Sequence, residues 1–203
     1  MNTYDKYIAV LREELVPALG CTEPIAIAYA GALAARTLGQ RPGSLSVACS
    51  GNIVKNAKGV VVPNSNGQKG IAAAAVLGAL GGDPDKKLRV LTSVTPDQAE
   101  RTRELVQSGF CRVELLEGVA NLHIIVTARA ADSQAVVEIA EEHTGVVRVE
   151  KDGVILEGGP YRPRTGNDGQ GREFMSVDGI IDFAESCNLD DVRELLERQI
   201  ACN

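Results

Sequence analysis

Tryptophan is absent from the 203 residues, aromatic residues make up only 3%, and no basic run occurs in a chain of net charge −6. Such a chain lacks both a phosphate-neutralising surface and a base-stacking platform. DNA, RNA and anionic membranes are therefore excluded as expected partners. Only two histidines are present, His123 and His143, and no Cys-x-x-Cys pair occurs, so no zinc pattern can be assembled. The longest apolar stretches, residues 25–35 and 71–80, are too short to span a bilayer. The opening Met-Asn-Thr-Tyr-Asp-Lys-Tyr has no basic segment ahead of an apolar core. No signal peptide is read there, and a cytoplasmic location is expected.

What is present is an ordinary globular composition, 44% apolar and 24% charged, enough for one sizeable core or two small ones. The five cysteines, Cys21, Cys49, Cys111, Cys187 and Cys202, form an odd set without a secretory signal. Reduced thiols are the expectation, not a disulfide framework.

The patterning gives an α+β (mixed α/β) chain. Residues 5–16 carry apolar side chains at helical spacing, and an Ala-rich helix opens at Pro24, a residue suited to a first helical turn. Leu45, Val47 and Cys49 alternate as a strand, and residues 71–80 read as a second Ala-rich helix. From residue 88 the expected order is strand 88–92, helix 97–108 capped by Thr95, strand 112–116, strand 122–128, helix 133–143 and strand 146–150. That βαββαβ order is ferredoxin-like. A Gly/Pro/Arg-rich loop, 157–171, leads into a C-terminal helix pair. The predicted division is residues 1–86 with 172–203 as one helical domain, 87–156 as the ferredoxin-like domain and 157–171 as linker. The two Ala-rich helices carry more small apolar surface than this chain is expected to cover. An exposed apolar patch, or its burial in a homodimer, follows.

Two segments carry chemistry. Cys21 lies between Gly20 and a Thr22-Glu23-Pro24 that opens a helix. Unpaired N–H groups and the positive dipole end at a helix start favour thiolate, which can be a nucleophile or an iron ligand. Glu23 beside it can carry a proton. A plain structural reading competes, with Thr22 as helix cap, Glu23 as dipole-compensating side chain and Cys21 as filler. The second segment, Ser50-Gly51-Asn52 through Lys55-Asn56, gathers short polar groups at a strand end, as small-ligand sites do. Its plain reading is a polar turn with a solvated lysine.

Gly20-Cys21-Thr22-Glu23-Pro24 followed by the Ala-rich helix resembles the opening motif of the serine dehydratase alpha-chain and L-cysteine desulfidase family of iron–sulfur amino-acid lyases. Ser50, Asn52, Lys55 and Asn56 are similar to that family's S-x-N-x-x-K-N segment, and Val62-Pro63 through Gly67 and Gly70 continues the likeness. The resemblance is to the N-terminal half of such a protein. It implies a [4Fe–4S] cluster with Cys21 as one ligand and the others in a half absent here, so that this chain alone holds no cluster. It further implies Glu23 and Lys55 as catalytic residues and Thr22, Ser50, Asn52 and Asn56 as substrate-binding residues. The implied reaction removes sulfide from L-cysteine, or water from L-serine, to leave pyruvate and ammonia. The partner would be a small amino-acid substrate. A non-catalytic amino-acid-binding module, or an inactive fragment, is the alternative.

Overall fold

The computed structural model describes residues 2–162 and 172–202. They fall into two compact units, residues 18–162 and residues 2–17 with 172–202.

The larger unit is organised by two Ala-rich helices. Helix α2 (Thr22–Leu38) ends at Gly39, whose left-handed backbone lets its N–H cap the carbonyls of Ala35 and Arg36. Helix α4 (Ile71–Gly81) lies against it. Small residues make the approach close. A Cβ on Gly31 would sit 2.5 Å from the Ala75 carbonyl oxygen, and one on Gly78 only 2.0 Å from that of Ala28. Only glycine fits at either crossing point.

Both helices lie on a six-stranded sheet of order β2-β1-β3-β4-β5-β6. Its strands are β1 (Ser44–Ser50), β2 (Cys111–Leu116), β3 (His123–Ala130), β4 (Ser133–Ala140), β5 (Val146–Lys151) and β6 (Val154–Gly158). Strands β1 and β2 run parallel and the other pairs antiparallel. Period-two patterning sets the buried face. Leu45, Val47 and Cys49 stand in register with Ala128, Val126 and Ile124, and these with Ala135, Val137 and Ile139, all fully or almost fully buried. Between β1 and β2 come the short helix α3 (Gly51–Ala57), α4, a 3₁₀ segment (Pro84–Arg89) and helix α5 (Pro96–Gln107). Thr95 and Gln98 form a full capping box at the start of α5.

On the other side of the sheet Glu138 is buried, with both carboxylate oxygens engaged. Oε1 lies 2.7 Å from His123 Nε2, and Oε2 accepts from Arg148 Nε at 2.8 Å. Arg148 Nη1 also donates to Glu150 at 2.9 Å. A buried carboxylate is tolerable only when so paired.

The smaller unit contains α1 (Thr3–Glu14), α6 (Val177–Ser186) and α7 (Leu189–Cys202). Tyr4, Tyr7, Phe174 and Phe183 pack together there, Tyr7 stacking on Phe183 at 5.0 Å between ring centroids.

The α+β class, the Ala-rich helices and the C-terminal helix pair are as the sequence predicts. Several expectations need correction. Residues 133–143 are not a helix. Strand β4 occupies Ser133–Ala140, and Ala135, Val137 and Ile139 alternate into the core at a strand's period. Residues 88–92 are not a strand, because Asp83 caps Pro84–Arg89 and Lys87 has a positive φ of 47°. With those two segments changed, the 87–156 region does not follow the ferredoxin-like order. The boundary at 86/87 is replaced too: β1 pairs with both β2 and β3, so residues 18–86 share one core with 87–156. Of the N-terminal segment, only residues 2–17 group with 172–202. The expected 157–171 linker begins inside β6, and its residues 163–171 lie outside the described residues. The expected apolar patch on the Ala-rich helices does not form either. Residues 25–28 and 74–77 are fully buried within the chain, which removes that motive for a homodimer.

Replacing Gly78 with alanine should cost at least about 2 kcal/mol, because a backbone carbonyl occupies the Cβ position. Gly59→Ala, where no atom lies within 4 Å, should change stability by less than about 0.5 kcal/mol. Urea denaturation of the two variants checks this. Equal midpoints would show that the two helices do not cross as described.

Candidate functional site

The site begins where α2 begins. Gly20 has φ 80°, and a Cβ there would press on Pro63 Cγ at 3.3 Å. This turn places Cys21, in extended conformation, at the N-cap of α2, with Thr22 as the first helical residue. No side chain caps that end of the helix. Leu19 donates its N–H to the Leu88 carbonyl at 3.1 Å, tying down the approach. Two residues into a rigid, buried helix, the Glu23 side chain is therefore well fixed.

Glu23 is the hub. Its Oε2 accepts from the Cys21 thiol at 3.1 Å and from the Thr22 hydroxyl at 3.4 Å. Its Oε1 accepts from Asn56 Nδ2 at 3.2 Å, across 33 residues of sequence. Asn56 sits on α3, where Asn52, four residues earlier, shares its face by helical spacing; Asn52 and Lys55 are both exposed. The structure thus brings Cys21, Thr22, Glu23 and Asn56 together, with Asn52 one turn before Asn56 on α3. Ser50 stands apart. It is buried, and its hydroxyl donates to the Asn121 carbonyl at 2.6 Å. This bond anchors the β1–α3 junction to the chain before β3.

The electrostatics differ from the dipole-based expectation for Cys21. Burial, followed by the hydrogen bond to Glu23 and that carboxylate's charge, pushes the thiol up from its ordinary pKa, against a hydrogen bond from the Glu23 backbone N–H. At neutral pH Cys21 is a thiol donating to a carboxylate. For Glu23, burial works upward, but the hydrogen bonds from Cys21, its own backbone and Asn56, with the charge of His143, outweigh it and hold the carboxyl below the usual range. His143, in the turn between β4 and β5, thus acts on the site although nothing in its local sequence points there. Only the sheet's return brings it near.

The fit of a [4Fe–4S] cluster can be tested on these residues. A cluster needs three or four converging thiolates. Among the described residues no group of three or more His, Cys, Asp or Glu side chains could hold a metal. Burial pushes the Cys49 and Cys111 thiols to about 12, so neither offers a thiolate. Cys21 is the one thiol at the site, and the residues present do not fit the cluster.

Comparison with known proteins bears on the resemblance. No protein-family model and no solved structure matches the chain. Proteins named "UPF0597 protein" match along its whole length. One from Lachnoclostridium phytofermentans is 47% identical over 200 residues, 98% of this chain and 48% of the relative. One from Treponema denticola is 38% identical over 203 residues, 100% of this chain and 47% of the relative, and one from Finegoldia magna is 41% identical over 198 residues. The chain spans about half the length of the curated relatives it matches. These full-length matches carry the UPF0597 name and overturn the assignment to the serine dehydratase alpha-chain and L-cysteine desulfidase family. The three short segments that carried the resemblance, residues 20–24, 50–56 and 62–70, were too few to identify a family. Among the described residues, no helix is long and apolar enough to cross a membrane.

Glu23→Gln should make Cys21 more reactive. Two of the three influences that raise the thiol's pKa come from this carboxylate, and the thiolate is the nucleophile. Alkylation of Cys21 by iodoacetamide at pH 8, followed by peptide mass mapping, should speed up several-fold. An unchanged Cys21 rate, with Cys202 as internal reference, would refute the coupling. Glu23 has an opposite bearing on acid stability. Its folded pKa is depressed, so its stabilising contribution is complete above the unfolded carboxylate pKa. That contribution is lost as pH falls through the lower folded value.

Proposed function

We propose that this chain supplies part of an active site for β-elimination from a small amino acid, L-cysteine or L-serine, releasing sulfide or water and leaving pyruvate and ammonia. The observation that supports it is the Cys21–Glu23–Asn56 cluster. A proton-carrying carboxylate and a soft sulfur lie 3.1 Å apart at a rigid helix start, held by an amide from the second polar segment.

The chemistry divides among named groups. Glu23 is ionised and accepts the proton lost from the substrate's α-carbon. In the resting site its basicity is low because Cys21 and Asn56 donate to it. Loss of the Cys21 proton would remove one donor and add a negative charge next to the carboxylate, and both raise its pKa. Cys21 and Glu23 therefore work as a coupled pair, the thiol setting the strength of the base. Lys55, exposed on the same short helix as Asn56, supplies a cation for the substrate carboxylate, with the exposed Asn52 as a neutral donor. As the α-proton passes to Glu23, the Cβ–S or Cβ–O bond breaks with its electrons on the leaving atom, which takes the proton back from Glu23 and departs as hydrogen sulfide or water, leaving an enamine. Its tautomerisation and hydrolysis give pyruvate and ammonia. The [4Fe–4S] cluster expected from the sequence does not fit this chain's residues, and no step is drawn through it. Any cluster would take its further ligands from the length of protein that the relatives have and this chain does not span.

The second reading, an amino-acid-binding module without turnover, draws on the exposed Asn52 and Lys55. Both suit binding whether or not chemistry follows.

The deciding experiment uses a protein that carries this chain at the full length of its relatives, reconstituted anaerobically with iron and sulfide. Pyruvate and sulfide are assayed with cysteine, and pyruvate with serine. Turnover is expected, and Glu23→Gln should lower kcat by about 10²–10⁴-fold with the fold intact. A cluster-loaded protein inert on cysteine, serine and other β-substituted amino acids ends the lyase reading. Saturable calorimetric binding of cysteine or serine by that inert protein would establish the binding module.

A further inference from the structure

The smaller unit contains a cavity that owes nothing to the Cys21 site. Its volume is about 240 Å³, and Tyr4, Tyr7, Phe174, Phe183, Gly179 and Asp182 line it. Four of the chain's seven Tyr and Phe residues are gathered there. An aromatic core between short helices needs no ligand to explain it, but three further observations do not follow from packing alone.

The first is the Tyr7 hydroxyl. Tyr7 is 6% exposed, and its oxygen is buried with no hydrogen-bond partner. Buried phenols normally find one, because an unpaired polar group costs about 1–3 kcal/mol. The second is Gly179. A Cβ on this residue would lie 2.6 Å from the Tyr7 oxygen, so any larger residue would displace that hydroxyl from its place at the cavity. The third is charge. Helix α6, which contributes Gly179, Asp182 and Phe183, carries Asp178, Asp182 and Glu185 and no basic residue. Aromatic faces attract cations, and Lys6 already places its ammonium 5.2 Å from the centre of the Phe174 ring.

We infer that the cavity between α1 and α6 binds a small organic cation, a primary amine on a single aromatic ring. Its ring lies among Tyr4, Tyr7 and Phe183, its ammonium pairs with Asp182, and the Tyr7 hydroxyl gains a hydrogen-bond partner. A cavity of this volume has room for one ring with a short amine arm. An acidic, aromatic lining selects against carboxylates of the same shape. The site is independent of the proposed lyase chemistry, so either can fail without the other.

The test titrates the whole chain with phenethylamine, 2-phenylethanol and 3-phenylpropionate, which share a shape and differ in charge. Binding is followed by calorimetry and by ring-proton shifts in NMR. Saturable phenethylamine binding is expected, about tenfold or more tighter than that of the alcohol, with none by the carboxylate. Asp182→Asn should abolish the preference for the amine without moving the thermal midpoint, since Asp182 is exposed. Tyr7→Phe should weaken amine binding while leaving the fold at least as stable. If no probe saturates at millimolar concentration, or if alcohol and amine bind alike, the inference is wrong. It is equally wrong if Asp182→Asn and Tyr7→Phe leave amine binding unchanged, in which case the Tyr7 hydroxyl is paired by an internal water only.

Discussion

The backbone-to-backbone approach of α2 and α4 is the constraint on which the larger unit depends. Each helix presents a glycine where the other presents a carbonyl, Gly31 against Ala75 and Gly78 against Ala28. Helices this close leave no room between them for long side chains, which accounts for the alanines on both. It also explains why two helices apolar nearly all round can be buried in a chain of this size. Alanine and glycine fill little volume, so the pair forms a thin layer that the six-stranded sheet can cover. The start of α2 inherits this rigidity. Glu23 lies one residue before Pro24, and full burial begins at Ile25. The carboxylate therefore cannot shift along the helix without moving the core.

Two carboxylates organise the polar chemistry of this unit, and their settings differ. Glu138 is 4% exposed, and its partners, a histidine and an arginine on neighbouring strands, are themselves mostly buried. That arrangement suits a fixed structural link across β3, β4 and β5. Glu23 is half-buried, and its partners are a thiol, a hydroxyl and an amide, none of them a fixed charge. Neutral donors hold a carboxylate in place without cancelling its charge. A group held in that way can still exchange a proton with something that arrives from solvent. This contrast is why the proposed chemistry is placed on Glu23 and not on Glu138.

Segments with one strong local signal were readable in the sequence. Thr95 with Pro96 announced α5, the alternation of Leu45, Val47 and Cys49 announced β1, and Pro24 with the alanines announced α2. The failure at β4 has a physical reason. Val136, Ile139 and Ala140 fit a helical stripe, while Ala135, Val137 and Ile139 fit a strand just as well. Pairing with β3 and β5 decides between them, and that information is not local. The domain boundary failed for the same reason: β1 is central in the sheet only because β2 and β3, far along the chain, flank it. In the site, Cys21, Thr22, Glu23 and Asn56 were legible as polar residues beside helix and strand ends. The burial of Ser50 and the approach of His143 were not, because both depend on the path of β3 and the β4–β5 turn.

The helix dipole by itself argued for a thiolate at Cys21, and the magnitudes explain why it does not prevail. A helix end acts as a partial charge of about half a unit, and its effect is typically below about 1 kcal/mol at an exposed site. A full carboxylate charge 3.1 Å from the sulfur, with desolvation added, opposes it and is larger. The same positive helix end and the Asn56 amide both favour the ionised form of Glu23. The pair therefore carries one proton, and it rests on sulfur. Two groups that share one proton titrate as a unit. Anything that binds the sulfur as thiolate releases that proton and leaves Glu23 more basic at the same moment. Sulfur ligation and base strength are thus coupled through a single hydrogen bond at the first turn of α2. This coupling makes the Cys21–Glu23 spacing meaningful chemically, where either residue alone would be an ordinary feature of a helix start.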